Sequence, residues 1–239
     1  MLNSKSFQGG IAKVLVSLFS LLAASQFCIA APHYPASQVS TRDNRHLYAR
    51  RPTPQIEDFQ TKFDNSDPKV LQTQAEFISF TEDGPHLIGS NGFQGCFGIV
   101  LATKQGAIVG HYSQDPQSFA TGTARIRELY EQNSAKVGGA TPLLYSAVTY
   151  STGEVISDSM RQDYVTFLKE LTGKDATHHH YTEIMEILEE NLSEDDLMDG
   201  NYPEDLLSGA LVVSNPGGGG ANTEVLFVNL DMQRTSTEN

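Results

Sequence analysis

The sequence has only two cysteines, Cys28 and Cys96, and this scarcity limits how the protein can be built. Cys28 falls in an N-terminal segment with the features of a secretory signal peptide, which would be cleaved off during export. The exported chain would then keep Cys96 as its single cysteine, which excludes an internal disulfide. The thiol of Cys96 would therefore form an intermolecular bridge, lie buried and inert, or carry out chemistry.

Basic residues and long apolar segments are also few. The chain has 16 Lys and Arg residues against 29 Asp and Glu residues, and its formal net charge is −13. Such an acidic balance argues against nucleic acid or an anionic membrane as a partner. The apolar run of the signal, from Val14 to Ala24, is shorter than the roughly 20 residues of a membrane span, and no later run approaches that length. We therefore expect a secreted protein without a membrane anchor.

The composition changes along the chain and divides it into four parts. The prediction is a signal peptide over residues 1–30, a polar and disordered tail or pro-segment over 31–66, one folded domain over 67–231, and a frayed C-terminus over 232–239. In the tail, only Ile56, Phe59 and Phe63 suggest a short helical stripe. The folded part has a suitable length for one domain that buries its own core.

Within the folded part, the apolar pattern predicts short strands and a few helices. Strands are expected over 77–80, 86–89, 97–102, 107–109, 143–150, 211–214 and 225–230. Helices are expected from Thr121, from a cap at Ser157 or Asp158 to a stop at Gly173, and from Tyr181 to about Glu190. Several sequential strands at the start indicate the α+β class, as a layered α/β sandwich with a central, mostly antiparallel sheet and about three helices.

The stretch from 91 to 112 contains two apolar runs around a polar turn at 103–106, which predicts a β-hairpin. Both faces of this hairpin are apolar, as expected of strands that are covered on both sides. Cys96 lies near the start of the first strand and His111 at the end of the second, so the hairpin would bring them close in space. A four-residue loop would set them directly opposite each other, and a two-residue loop would make them diagonal neighbours on one face. A three-residue loop would place them on opposite faces.

A thiol beside an imidazole has the parts of a nucleophilic catalyst. His111 can take the proton of Cys96 Sγ, and the thiolate can then attack an electrophilic carbonyl. Gly95 lets the backbone turn tightly, so that backbone N–H groups around Gly95 and Cys96 can face a developing oxyanion. Ser90 and Asn91 are candidates for the third group, which would orient the histidine. The competing interpretation makes Cys96 an ordinary core residue and His111 an ordinary strand-end histidine bonded to backbone.

Other polar clusters offer weaker candidates. The His178-His179-His180 run could bind a metal adventitiously, but three adjacent histidines cannot all face one ion on a strand or helix, so a surface turn is favoured. The acidic stretch from 183 to 205 lacks the alternating pattern of a calcium loop and is expected to be a solvated face. No metal and no cofactor are predicted.

The residues around Cys96 resemble a known superfamily of cysteine enzymes. Gly95-Cys96 after a polar turn, then a hydrophobic strand, a Lys-Gln-Gly turn and His111, are similar to the cysteine glutamine deamidases. These comprise the bacterial chemoreceptor deamidases, the catalytic domain of cytotoxic necrotizing factor and the similar Burkholderia lethal factor. The pattern also resembles a group of secreted fungal proteins with a Gly-Cys … Gly-x-x-x-x-His-Tyr/Phe signature, which Gly106, His111 and Tyr112 match.

The resemblance implies a layered α/β sandwich with the cysteine and histidine on neighbouring central strands. It also implies an activity that converts a protein glutamine side chain to glutamate, with Cys96 as the nucleophile and His111 as the base. Some members carry a threonine hydroxyl six residues before the cysteine, where this chain has Ser90. The toxin members tend to have Leu-Ser-Gly-Cys, whereas this chain has Phe-Gln-Gly-Cys at 93–96.

Three hypotheses for the function follow. The first is a secreted cysteine-dependent hydrolase with a toxin-like fold, which deamidates a glutamine in a partner protein. The second is a secreted binding or effector module that keeps the fold without the chemistry, in which Cys96 is buried. The third is a metal-binding protein that uses the histidine run. The reactivity of the thiol separates the first two hypotheses, and metal retention after dialysis tests the third.

Overall fold

The computed structural model describes residues 54–185, 208–229 and 233–237, together with 188–189, 192–193, 195 and 198. Its helices are α1 (Pro54–Asp64), α2 (Pro116–Gln132), α3 (Ser134–Val137) and α4 (Asp158–Thr172). Its strands are β1 (Gln74–Ser79), β2 (Asp83–Ser90), β3 (Phe97–Ala102), β4 (Gly106–Tyr112), β5 (Leu143–Val148), β6 (Thr177–Thr182), β7 (Ala210–Gly217), β8 (Thr223–Val228) and β9 (Gln233–Thr237). All of these elements belong to one compact unit of the chain.

The strands form two sheets. One sheet has five strands in the order β1-β4-β3-β5-β6, and the other has four strands in the order β2-β7-β8-β9. The pairings are antiparallel except for that of β5 with β6. A parallel pair needs a crossover connection, which α4 supplies here. The hairpin β3–β4 lies in the middle of the five-stranded sheet, and β2, which comes just before it in the chain, belongs to the other sheet.

The helices and the two sheets stack in layers. One core lies between the sheets and includes Val100 and Val109 from one sheet and Val213 and Phe227 from the other. A second core lies under α2 and α4 on the outer face of the five-stranded sheet. A third lies under α1 on the outer face of the four-stranded sheet. The predicted α+β class and layered sandwich are therefore confirmed, and the sandwich contains a second sheet.

Strands β3 and β4 are buried along their whole length because each of their faces meets a different core. Val100 and Val109 point toward the second sheet, whereas Ile99 and Ile108 point toward the helices. This alternation explains why the hairpin sequence is apolar at nearly every position. Burial of one such branched side chain contributes about 1.5–3 kcal/mol. The hairpin is consequently a firm support for the residues at its open end.

Helix α1 shifts the boundary of the folded domain. The sequence suggested a disordered tail up to residue 66, but Pro54–Asp64 is helical and Phe59 is only 2% exposed. Phe59 stacks on Phe63 with 5.7 Å between ring centroids, and both pack on the four-stranded sheet. Lys62 forms a salt bridge of 2.8 Å with Glu224 of β8. One apolar stripe thus docks the helix on the outer face of the four-stranded sheet, and the domain reaches at least to residue 54.

The two predicted helices that follow β4 and β5 are present, with one boundary moved. Helix α4 covers the predicted range, and Gly173 ends it in the left-handed conformation with φ 72°. Helix α2 begins at Pro116 rather than at Thr121. Its start is set by Asp115, whose carboxylate accepts the backbone N–H of Ser118 at 2.9 Å and caps the helix earlier than the apolar pattern suggested.

The three consecutive histidines lie in strand β6, so the prediction of a surface turn is wrong. Residues of β6 pair along the full length of β5, and this backbone pairing outweighs the weak strand preference of histidine. His179 faces the second sheet and stacks on Phe227 at 4.3 Å, whereas His180 bonds Ser146 on the opposite face. Tyr181, the expected start of a helix, is fully buried in the same strand.

The remaining sequence predictions concern the ends of the chain. The C-terminus was expected to fray after residue 231, but Gln233–Thr237 forms β9, because the edge of β8 offers it backbone partners. The signal peptide and the tail up to residue 53 lie outside the described residues. Of the predicted third helix, Tyr181 and Thr182 belong to β6 instead, whereas Met185, Leu188 and Glu189 are helical and the N–H of Leu188 donates to the carbonyl of Ile184 at 2.9 Å. Residues 186, 187 and 190 lie outside the described part of the chain. In the described part of the chain, no helix has both the length and the apolar character needed to cross a membrane.

Candidate active site

The register of the central hairpin places Cys96 and His111 on the same face. Gly98 pairs with His111, Ala102 pairs with Ala107, and the backbone N–H of Thr103 donates to the carbonyl of Gly106 at 3.0 Å. This is the two-residue loop, in which Cys96 is the diagonal neighbour of His111. Both side chains therefore point into the space between the two sheets, at the open end of the hairpin.

The backbone around Cys96 is held by two side chains from other elements. The hydroxyl of Tyr181 on β6 donates to the carbonyl of Cys96 at 2.7 Å. The amide of Gln114 donates to the carbonyl of Gly95, and Ser157 at the start of α4 donates to Gln114 in turn. Gly95 itself has φ +78°, a conformation that glycine adopts without strain. These bonds define where the sulfur enters the inter-sheet core, in which Cys96 is 5% exposed.

His111 is oriented by a hydroxyl from the opposite sheet. Ser90, at the end of β2, lies 2.9 Å from His111 Nδ1 and donates its own hydrogen to the carbonyl of Val70 at 2.7 Å. A hydroxyl has one hydrogen, so the Ser90 oxygen must accept from Nδ1–H. The imidazole therefore carries its proton on Nδ1 and has a lone pair on Nε2. Nε2 is buried and has no hydrogen-bond partner among the described residues.

Burial also determines the charge of His111. Its side chain is 2% exposed, and the ring of Phe93 stacks on the imidazole with 3.8 Å between centroids. Removal from water disfavours the imidazolium and lowers the pKa of His111 from 6.5 to about 3. The imidazole is thus neutral near pH 7, and the same burial makes Nε2 a weaker base than the nitrogen of an exposed histidine.

The structure links Ser90 to His111 by a hydrogen bond and places Cys96 on the same face of the sheet, with no hydrogen bond between Cys96 Sγ and His111 Nε2. It adds Gln72 and Phe93, whose contacts the sequence did not mark. Ser90, Cys96 and His111 are brought to one end of the inter-sheet space. Gln72 was missed although its amide Nε2 donates to Cys96 Sγ at 3.4 Å. Phe93 was noted only as part of the Phe-Gln-Gly-Cys stretch. No local motif marks either residue, because both contacts depend on how the loops before β1 and β3 fold over the hairpin.

Gly95→Ala should destabilise the loop that carries Cys96 by more than the cost of a positive φ alone. An added Cβ would lie 2.5 Å from the amide nitrogen of Gln114 and would also have to adopt a positive φ. We expect a loss of about 2–3 kcal/mol in the free energy of unfolding, together with slower reaction of Cys96 with iodoacetamide. Urea unfolding and the alkylation rate at fixed pH measure the two effects.

Gly92→Ala is the matched control for that substitution. Gly92 lies in the same loop with φ +72°, but no atom lies within 4 Å of an added Cβ. It should lose only about 1 kcal/mol, the cost of the left-handed conformation, and keep the alkylation rate. Equal losses for the two variants would show that the Gln114 contact does not hold the loop.

Metal chemistry has no evident centre in the described residues, where no three His, Cys, Asp or Glu side chains are grouped to hold an ion. The histidines of β6 in particular are divided between the two faces of the sheet. The third hypothesis therefore lacks a ligand set in this part of the chain.

Comparisons with known proteins give a limited result. No model of a known protein family matches the chain, and no curated protein matches it. Among solved structures, the chain is similar to the C-terminal domain of CNFy from Yersinia pseudotuberculosis, with 10% sequence identity and a TM-score of 0.33. The alignment covers 70% of this chain and 61% of that one, so the chain spans about three fifths of the length of the protein it matches. A similarity at this level assigns no role to any residue.

Proposed function

We propose that the protein is a secreted thiol hydrolase that uses Cys96 and His111 to deamidate a glutamine side chain of a partner protein. The observation that carries this proposal is the state of His111. Its Nδ1–H is bonded to Ser90, and its buried Nε2 has no hydrogen-bond partner among the described residues and lies on the face of the sheet from which Cys96 projects. A buried, unbonded nitrogen costs free energy, so a role as proton acceptor gives it a reason to persist.

The proposed reaction begins with a neutral pair. Because the lowered pKa keeps His111 uncharged, Cys96 starts as a thiol, and its proton moves to Nε2 as the sulfur attacks. A bond forms between Sγ and the carboxamide carbon, and the electron pair of the C=O bond moves onto oxygen. Backbone N–H groups of Gly95 and Cys96 are the donors that we assign to this oxyanion.

The tetrahedral intermediate then breaks down with loss of ammonia, and the resulting thioester is hydrolysed in a second step. His111 gives its proton to the amide nitrogen and the C–N bond breaks. Ammonia departs, and a thioester between Cys96 and the substrate remains. His111 next takes a proton from water, the hydroxide adds to the thioester carbon, and the C–S bond breaks as the proton returns to sulfur. The products are a glutamate side chain and ammonia, and no atom is oxidised or reduced.

The proposal is tested by looking for the mass change of glutamine to glutamate. The purified protein is incubated with candidate host proteins, and peptides are analysed by mass spectrometry, with Cys96→Ser as the blank. We expect specific glutamines to be converted by the natural protein and by no Cys96→Ser sample. Conversion at the same sites and rates in both samples would contradict the proposal.

The burial of the site favours one alternative function, a binding module without catalysis. Cys96 is 5% exposed and His111 is 2% exposed, as they would be if they served only as core residues. An acidic surface would then recruit a basic partner. Iodoacetamide separates the two functions: a thiol that reacts only after unfolding supports the module, and a thiol that reacts in the folded protein in a His111-dependent way supports the hydrolase.

A further inference from the structure

Gln72 lies in a strained turn that carries its side chain to the sulfur of Cys96. The turn is closed by the backbone N–H of Gln74, which donates to the carbonyl of Leu71 at 3.1 Å. Its third residue, Thr73, has φ +70°, which is costly for a β-branched residue. The backbone N–H of Thr73 donates to the carbonyl of His111 at 2.8 Å, so the turn is tied directly to the histidine. Strain of this kind persists only where the surroundings enforce it, and it is often found at functional sites.

The carboxamide of Gln72 uses its nitrogen toward the candidate active site. Nε2 donates one hydrogen to the hydroxyl of Ser113 at 2.7 Å and the other to Cys96 Sγ at 3.4 Å. Ser113 follows β4 by one residue and thus fixes the amide from the same strand that carries His111. The hydrogen bond to Ser113 therefore holds the amide nitrogen of Gln72 beside Cys96 Sγ.

A neutral amide donor at this point has a specific chemical use. When the sulfur attacks, negative charge moves from Cys96 Sγ to the carbonyl oxygen of the substrate carboxamide. A donor already directed at the sulfur is therefore next to both places where the charge develops, and it stays a donor at every pH at which the protein is folded. It also needs no reorganisation when the charge appears.

We infer that Gln72 is a catalytic residue of this site, which stabilises the charge on Cys96 Sγ and on the carbonyl oxygen of the substrate. This role rests on the proposed function, because it concerns the same nucleophile. It differs from a simple cover, which would shield the thiol and would slow its reactions.

The test compares Gln72→Glu and Gln72→Ala with Gln74→Glu as the matched control. Gln74 lies two residues away in the same turn, and its Oε1 accepts the N–H of Leu71 at 3.2 Å, a bond that a carboxylate can keep. Gln74→Glu therefore adds the same charge close to the site without removing the donor at the sulfur. The measurement is the rate of Cys96 alkylation by iodoacetamide between about pH 6 and about pH 10.

We expect Gln72→Glu to lower the alkylation rate at neutral pH by about tenfold or more and to move the rate profile toward higher pH. Gln72→Ala should be slowed less, and Gln74→Glu should stay within about twofold of the natural protein. A faster reaction in Gln72→Ala would show that the side chain is only a cover and would overturn the inference, as would equal effects of Gln72→Glu and Gln74→Glu.

The same experiment separates this inference from the proposed function. If His111→Gln slows alkylation while both Gln72 variants react like the natural protein, the Cys96–His111 pair stands and the role of Gln72 is lost. If the natural protein reacts no faster than His111→Gln, the proposed function is lost and the role of Gln72 with it.

Discussion

His111→Gln should lower the rate of glutamine deamidation by roughly 10²- to 10⁴-fold, the usual contribution of a positioned general base. The expected loss is large because Nε2 is the nitrogen that is available for proton transfer, and the glutamine side chain that replaces the imidazole has no comparable base. Alkylation of Cys96 at neutral pH should fall by about tenfold or more in the same variant. Both rates can be measured on the purified protein, with circular dichroism to show that the fold is retained.

Substitutions of Ser90 give a graded control for this result. Ser90→Ala removes the acceptor of Nδ1–H, so the imidazole loses the bond that selects its tautomer, and we expect a rate between those of the natural protein and His111→Gln. Ser90→Thr keeps a hydroxyl and should retain most of the activity, provided that the fold is intact. If Ser90→Ala deamidates as fast as the natural protein, the hydroxyl does not orient the base.

The free energy of unfolding should decrease more steeply on acidification in the natural protein than in His111→Gln. The pKa of His111 is 6.5 when exposed and about 3 when folded, so below pH 6.5 the unfolded chain binds a proton that the folded chain does not. The free energy of unfolding therefore rises with pH across this window, and its full value is reached above pH 6.5. Between neutral pH and about pH 4.5, the contribution of His111 should decline by roughly 3 kcal/mol.

Urea unfolding of the two proteins at several pH values measures that contribution as a difference. Carboxylates titrate in both proteins and affect both curves alike, so subtraction isolates the imidazole. Parallel curves would mean that His111 is protonated in the folded state as readily as in the unfolded chain, and thus that the inter-sheet space is open to water.

The hairpin and its faces could be predicted from the sequence because they depend on local pattern. Apolar residues at every position of 97–102 require two covered faces, and the polar break at 103–106 requires a turn. The loop length could not be chosen in the same way, since Thr103 and Gly106 suit several turns. It is decided by the N–H of Thr103, which pairs with Gly106 and leaves two residues in the loop.

The contacts between distant segments could not be predicted. Ser90 was a candidate by position alone, and only the packing of one sheet on the other brings it to His111. The sequence predicted a turn at the histidine run because the run is polar and its neighbours show no strand pattern. Its pairing with β5 is a contact between distant segments. The helical stripe of Phe59 and Phe63 was visible, but the sheet face that it covers was not.

The hydrogen bond that sets the tautomer of His111 joins the two sheets, since Ser90 belongs to one sheet and His111 to the other. The tautomer of His111 is therefore maintained only while the two sheets remain packed against each other. If the two sheets separate slightly, even far from Cys96, the hydrogen bond from His111 to Ser90 is lost. The imidazole can then carry its proton on either nitrogen while the strands remain folded. The proposed activity should therefore be lost at lower denaturant concentration than the secondary structure.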